Sequence, residues 1–187
     1  MDETIYAAVG AVLLILVAGL FSALDAALST VSVARVEEMD KEGRYGAARL
    51  SRILTNRPRY INITVLLHHA CLVATAVLFT VVFNDLIDSA AWALATAALV
   101  TTVVAYVVAG VGPRTLGRQH AYTIALGSAS SLWASGFVLG PVAAMLVGIG
   151  NAVTPGGGFR NGPFASEIEL REIVDMARER GVVADDE

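Results

Sequence analysis

The basic residues of this chain are confined to three short zones, residues 35–59, 114–118 and 160–180, separated by long apolar runs without Lys or Arg. A helix that crosses a bilayer needs about 20 mostly apolar residues, and the Lys and Arg that flank such helices stay on the cytoplasmic side. The pattern therefore predicts a polytopic membrane protein, and it both counts the crossings and orients them. Soluble domains carry roughly 25% charged residues; here the share is 16%, beside 56% hydrophobic residues. A net charge of −4 argues against nucleic acid as a partner and leaves the lipid bilayer as the surroundings. The single cysteine, Cys71, lies inside an apolar run, so no intrachain disulfide is possible and a packing role is expected. Asp2 and Glu3 stand where a leader peptide would be positive, which predicts a span there rather than a cleavable leader.

Three runs read as spans: residues 4–34, 60–83 and 90–111. The first exceeds what a bilayer needs by about ten residues, so its end should project or bend, with Gly19 and Ser22 as plausible bend points. The basic loop 35–59 is cytoplasmic by the charge rule, which puts the N-terminus outside and Arg114 and Arg118 back inside. A fourth run, residues 121–153, is long enough to cross, yet a crossing would carry the zone 160–180 outside against the rule. It also holds Gly127, Gly136, Gly140 and Pro141, which weaken a straight helix. The expectation is a broken juxtamembrane belt at the inner interface or around the bundle; a true fourth span and a re-entrant hairpin are the alternatives.

Residues 36–55 read as polar helix, weak at Gly43, with Ala47, Leu50 and Leu54 as an apolar edge. Residues 154–163 form a Gly/Pro-rich linker. Ser166 and Glu169 then make a capping box for an acidic cytoplasmic helix with one apolar stripe. The fold class is thus all-α membrane protein: three transmembrane helices, a broken belt and a cytoplasmic linker helix. A membrane domain of residues 1–153 is followed by the segment 154–187.

Ionisable groups inside spans are candidate functional sites, because burial in lipid costs about 2.5–3.5 kcal/mol even on insertion scales. Ser22, Asp25, Ser29 and Ser32 recur at three- and four-residue steps and share one face of the first helix. Thr64, His68, Cys71 and Thr75 make a comparable stripe on the second, with His69 one step round. Facing each other, the two stripes would form a polar seam that could bind a cation or proton. The competing reading places Asp25 near the inner interface, hydrated or paired with Arg35 or another basic residue. Adjacent histidines on a helix point apart, and His-based metal sites need three or four ligands, so a transition-metal centre is not expected. Close helix packing explains Ala109, Gly110 and Gly112. No nucleophile–base pair, phosphate-binding loop or redox motif occurs at a usable position, so an enzyme is not expected.

Four patches carry a family resemblance. Residues 21–28 (FSALDAAL), followed by Ala34 and Arg35, resemble an FSGSETAL…AR stretch. Residues 57–60 (RPRY), continuing to Leu67, resemble an NPERLLATLLIG helix opening. Residues 107–118 (VVAGVGPRTLGR) resemble VFGEILPKTLAR, and the helix at 166–183 resembles an acidic TEEELRALVEEGEEEGVL segment. In this order the patches resemble the transmembrane domain of the CorC/CNNM magnesium transporters, also known as hemolysin-C-like membrane proteins. The resemblance implies a homodimer of three-helix bundles with a helical belt. It also implies nucleotide-binding CBS domains beyond Glu187, outside this chain, and Mg2+ as cargo exchanged against Na+.

The resemblance implies an ion site as well, and there the chain departs from the pattern. Ser22 matches the family's serine, His69 stands at its asparagine with His68 at the preceding glycine, and Gly110 stands at its glutamate. Asp25 occupies the position of the glutamate in SET; Pro113 is kept and Arg114 replaces lysine. Mg2+ demands oxygen ligands in a near-octahedral shell, so the loss of a carboxylate and an amide should cripple the original site. Two functions follow: a divalent-cation transporter with a site rebuilt from Ser22, Asp25 and His69, or a transport-inactive membrane scaffold or regulator.

Overall fold

The structure, a computed structural model, describes residues 2–153. The linker, the capping box and the acidic helix expected at 154–187 lie outside the described residues. The chain divides into two compact units, Met1–Val147 and Gly148–Glu187, and the helical bundle and its core lie in the first.

Seven α-helices follow in order: α1 (Asp2–Thr30), α2 (Val33–Lys41), α3 (Ala47–Thr55), α4 (Arg57–Leu86), α5 (Ala90–Val104), α6 (Gly112–Gln119) and α7 (Ala121–Val153). A π-helical segment, Ala105–Val111, joins α5 to α6. No strand occurs among the described residues, which is the all-α class. Four helical stretches are long and apolar enough to cross a membrane: Glu3–Thr30, Arg57–Leu86, Ala90–Gln119 and Ala121–Gly150. The chain is a multi-pass membrane protein.

α1 is the central helix. Ala7, Ala11, Ile15, Ala18 and Ser22 are buried along it at the three- and four-residue steps of one helix face. The opposite face exposes Val9, Leu13, Leu16 and Leu20, as suits contact with lipid. α1 packs most extensively on α4, and next on α6 and the π-helical segment. The α1–α4 pair is antiparallel. The Thr4 hydroxyl donates to the Asp85 carboxylate at one end, and Arg57 Nη2 donates to the Val31 carbonyl (2.8 Å) at the other. Small residues let α1 meet the third apolar helix at backbone distance. A Cβ on Gly19 would lie 3.0 Å from the Val108 carbonyl oxygen, and one on Gly117 would overlap the backbone of Ala23.

The first apolar run does not continue as one helix to residue 34, and α1 is unbroken through Gly19 and Ser22. α1 ends at Thr30, and Ser32 is extended (φ −85°, ψ 136°) before α2 starts. Tertiary hydrogen bonds stabilise this break. Arg57 caps the Val31 carbonyl, and the Ser32 N–H points to the Tyr122 hydroxyl at 3.4 Å. The polar segment after it is two helices rather than one. Gly43 and Gly46 take positive φ (72° and 84°), a region open to glycine at little cost. α3 then buries Ala47, Leu50, Ile53 and Leu54, the last three in a core shared with Leu28, Val31, Tyr60 and Ile63 and with Ala121, Ala125, Ala129 and Leu132 of α7.

α4 begins with Pro58 in its first turn, where a missing N–H costs nothing. The third apolar helix outlasts the expected 90–111, passing through the π-helical segment to Gln119. The widened turn closes with the Gly112 N–H on the Val107 carbonyl, just before Pro113, which has no N–H to offer.

α7 corrects the expectation of a broken belt: it is one helix across residues 121–153, with Pro141 inside it, which also removes the hairpin alternative. An interior proline costs a helix about 3 kcal/mol, yet α7 continues through it. Gly136 and Gly140 are close-approach sites rather than breaks. Tyr60 lies against the first and the Arg59 guanidinium against the second, where any Cβ would clash.

Candidate functional site: a polar seam on the central helix

The seam is built where α1, α4 and α6 meet. Ser22 is buried (4% exposed) on the face of α1 that packs on neighbouring helices. Asp25, one turn on, is half-buried, and its Oδ2 lies 3.6 Å from Arg114 Nη2. The Asp25 side chain is 19% exposed and that of Arg114 56%, so the carboxylate is held within the protein and the guanidinium reaches in from its edge. His68 approaches from α4, with Nδ1 2.9 Å from the Ala18 carbonyl.

The docking of α6 places Arg114. Gly117 brings α6 onto the Ala23 backbone, and the Pro113 ring packs over Gly19. One turn of α6 is thereby fixed against residues 19–23 of α1, and Arg114 projects toward Asp25. Arg35, one candidate partner, is occupied elsewhere. It pairs with Glu38 on its own helix, and that carboxylate raises the guanidinium's pKa further above its ordinary value.

The rest of the α4 stripe contributes less than its spacing suggests. The Thr64 hydroxyl donates to the Ile61 carbonyl (2.8 Å) and that of Thr75 to the Cys71 carbonyl (2.8 Å). Both hydroxyls are satisfied within α4, as threonine in an apolar helix commonly is. Cys71 packs beside Ile15, Ala18 and Ala109. His69 is exposed, and its Nδ1 lies 2.8 Å from the Val65 carbonyl of its own helix. The two rings meet edge to face at 5.3 Å between centroids, so only His68 bridges to α1. Gly110 sits half-buried in the π-helical segment, next to Ala109, which is buried against Ile15 and Ala18. No cluster of three or more His, Cys, Asp or Glu able to hold a metal occurs among the described residues.

Sequence reasoning missed Arg114 as the Asp25 partner. The available signal was its place beside Pro113, one turn before a glycine that admits a neighbouring backbone. The arrangement can hold a cation at Ser22 and Asp25 only in competition with the guanidinium already beside that carboxylate.

The family profile for the Cyclin M transmembrane N-terminal domain matches residues 9–187. The chain belongs to the CNNM transmembrane-domain family. Relatives include the UPF0053 protein Mb2387c of Mycobacterium bovis and the UPF0053 protein Rv2366c of Mycobacterium tuberculosis. Each is 53% identical over 183 residues, covering 97% of this chain and 42% of the relative. The chain thus spans about two fifths of the length of these relatives. Ser22 and Gly110 lie on elements that pack on each other, whereas His69 is exposed.

Proposed function

We propose that this CNNM domain is the membrane part of a divalent-cation transport or homeostasis protein with Mg2+ as its cargo, acting as a homodimer coupled to nucleotide-binding CBS domains further along the full-length protein. The carrying observation is Asp25. It is the one acidic residue of the apolar stretches away from their ends, and it faces the protein beside buried Ser22. A lone carboxylate at that depth is expensive unless it serves an ion or a counter-charge. Its oxygens and the Ser22 hydroxyl are hard ligands of the kind Mg2+ takes, with water completing the shell. No covalent chemistry is required of the domain.

In this reading three stretches cross the membrane (α1, α4, and α5 through α6), with the N-terminus outside, and α7 is the juxtamembrane belt. The contacts of α7 support it. Tyr122 meets Ser32, Leu126 meets Gly46 and Ser130 accepts from Arg49 (2.6 Å). Further on, the Gly136 carbonyl accepts from Arg59 (2.7 Å), and Ala143 and Val147 still line a cleft with Arg59 and Asn62. A spanning helix would climb along α4 by about 1.5 Å per residue. The contacts of α7 from Gly136 to Val147 instead stay with Arg59, Tyr60 and Asn62 in the first turns of α4.

A second reading has its own observation. Arg114 beside Asp25, with glycine at 110, supplies the positive charge that a bound cation would bring; a domain so neutralised would be a transport-inactive scaffold. Flux through the full-length protein in proteoliposomes separates the two, using Mg2+, Zn2+ and Co2+ with wild type, Asp25→Ala and Ser22→Ala. Mg2+ flux lost in both variants is the expected result. Absence of flux of any ion through folded wild-type protein would establish the scaffold.

A further inference from the structure

We infer that the cleft between the start of α4 and the middle of α7 is a binding site for the phosphate headgroup of an anionic phospholipid of the cytoplasmic leaflet. The charge pattern points to it first. Arg44, Arg49, Arg52, Arg57 and Arg59 fall within sixteen residues, and no Asp or Glu occurs between Glu42 and Asp85. Basic clusters of this kind directly before a span attract anionic headgroups, by about 1 kcal/mol for each Lys or Arg near the surface. A diffuse patch would need no site, but the structure shows a shaped one. Arg59, Asn62, Ala143, Ala144 and Val147 line a cleft of about 270 Å3.

The cleft is polar on the α4 wall and apolar on the α7 wall. Arg59 is held in place rather than left to swing. Its Nη2 donates to the Gly136 carbonyl (2.7 Å), and Gly140 leaves the room that the guanidinium fills. A guanidinium has five N–H donors, so one fixed bond leaves several for phosphate oxygens, which it binds bidentately. The Asn62 amide adds a donor one turn further into the membrane. Phe137 exposes its ring (84%) on the same side of α7 as Ala144, two helical turns away, offering contact to acyl chains that a free phosphate could not use. Arg59 lies in the first turn of a helix that crosses the membrane, which is headgroup depth. The site is independent of whether the domain passes an ion.

The test uses the full-length protein purified from vesicles of phosphatidylcholine with phosphatidylglycerol, with lipid retained through detergent washing counted by native mass spectrometry. Wild type should keep phosphatidylglycerol in preference to phosphatidylcholine. Arg59→Gln should lower that retention several-fold, Asn62→Ala less, and Arg59→Lys should preserve part of it. Arg52→Gln, a charge change away from the cleft, should lower retention far less than Arg59→Gln, and millimolar inorganic phosphate should not displace the lipid. Equal loss in Arg52→Gln, undiminished retention in both Arg59→Gln and Asn62→Ala, or full displacement by phosphate would each overturn the site. Asn62→Ala leaves the Arg59–Gly136 bond intact, so misfolding of the arginine variant does not decide the outcome.

Discussion

The two ends of α1 are held by different physics. Toward its N-terminus the helix buries Ala7, Ala11 and Ala18, and the core there is small, built on Ile15, Ala18 and Ala109. Toward its C-terminus Leu24, Leu28 and Val31 enter a core with Val36, Leu50, Ile53, Ile63 and the alanine edge of α7. Large side chains form a core where the end of α1 and the start of α4 meet α3 and α7. Small ones allow close van der Waals contact where lipid tails are as apolar as the protein and burial gives little driving force. Asp25, Arg114 and His68 lie at the junction of the two regimes, where a charge can be shielded by protein and still approached from the edge.

Substitutions in the two regions should therefore differ in size. Leu50→Ala leaves a cavity in the larger core and should destabilise by about 3 kcal/mol, read as a lowered unfolding midpoint in detergent; a loss no greater than that of Val12→Ala on the exposed face would break the contrast. Gly117→Val drives a side chain into the Ala23 backbone. It should cost about 2 kcal/mol by overpacking and should also separate Arg114 from Asp25, seen as greater accessibility of a cysteine placed at Ser22 in a Cys71→Ala background.

The Asp25–Arg114 pair should show smaller coupling. A double-mutant cycle with Asp25→Asn and Arg114→Gln is expected to give about 1 kcal/mol, between exposed pairs at roughly 0.2–1 kcal/mol and buried ones whose disruption costs about 3–5 kcal/mol. Zero coupling would remove the internal counter-charge. Thr4→Ala should be the mildest, within about 0.5 kcal/mol, because its bond to Asp85 is solvent-exposed.

Much of this division is legible in the sequence, and its limits have physical causes. The basic zones mark where the long apolar stretches are interrupted. The Ala47, Leu50 and Leu54 edge of α3 is read correctly because helical periodicity is local. The end of α1 at Thr30 is not legible, since it depends on Arg57 and Tyr122, residues distant in sequence. Glycines mislead in α7 for a related reason. Gly136 and Gly140 look like weak points until Tyr60 and Arg59 are seen to fill the space beside them. The histidine pair shows the same limit. Spacing puts the two rings on different faces, and only the packing of α1 selects His68. Arg114 becomes the partner of Asp25 through the docking of a whole helix, which no local pattern encodes.

The sidedness of residue 160 decides most directly whether α7 belongs to the cytoplasmic end of the molecule. A single cysteine at Arg160 of the full-length protein, in the Cys71→Ala background, can be challenged with a membrane-impermeant maleimide on intact cells and on inverted vesicles. With α7 as a belt across α3 and the start of α4, the cysteine labels only from the cytoplasmic face. Labelling from outside on intact cells would make α7 a fourth span and contradict the grouping of α2, α3 and α7 at one end of the bundle.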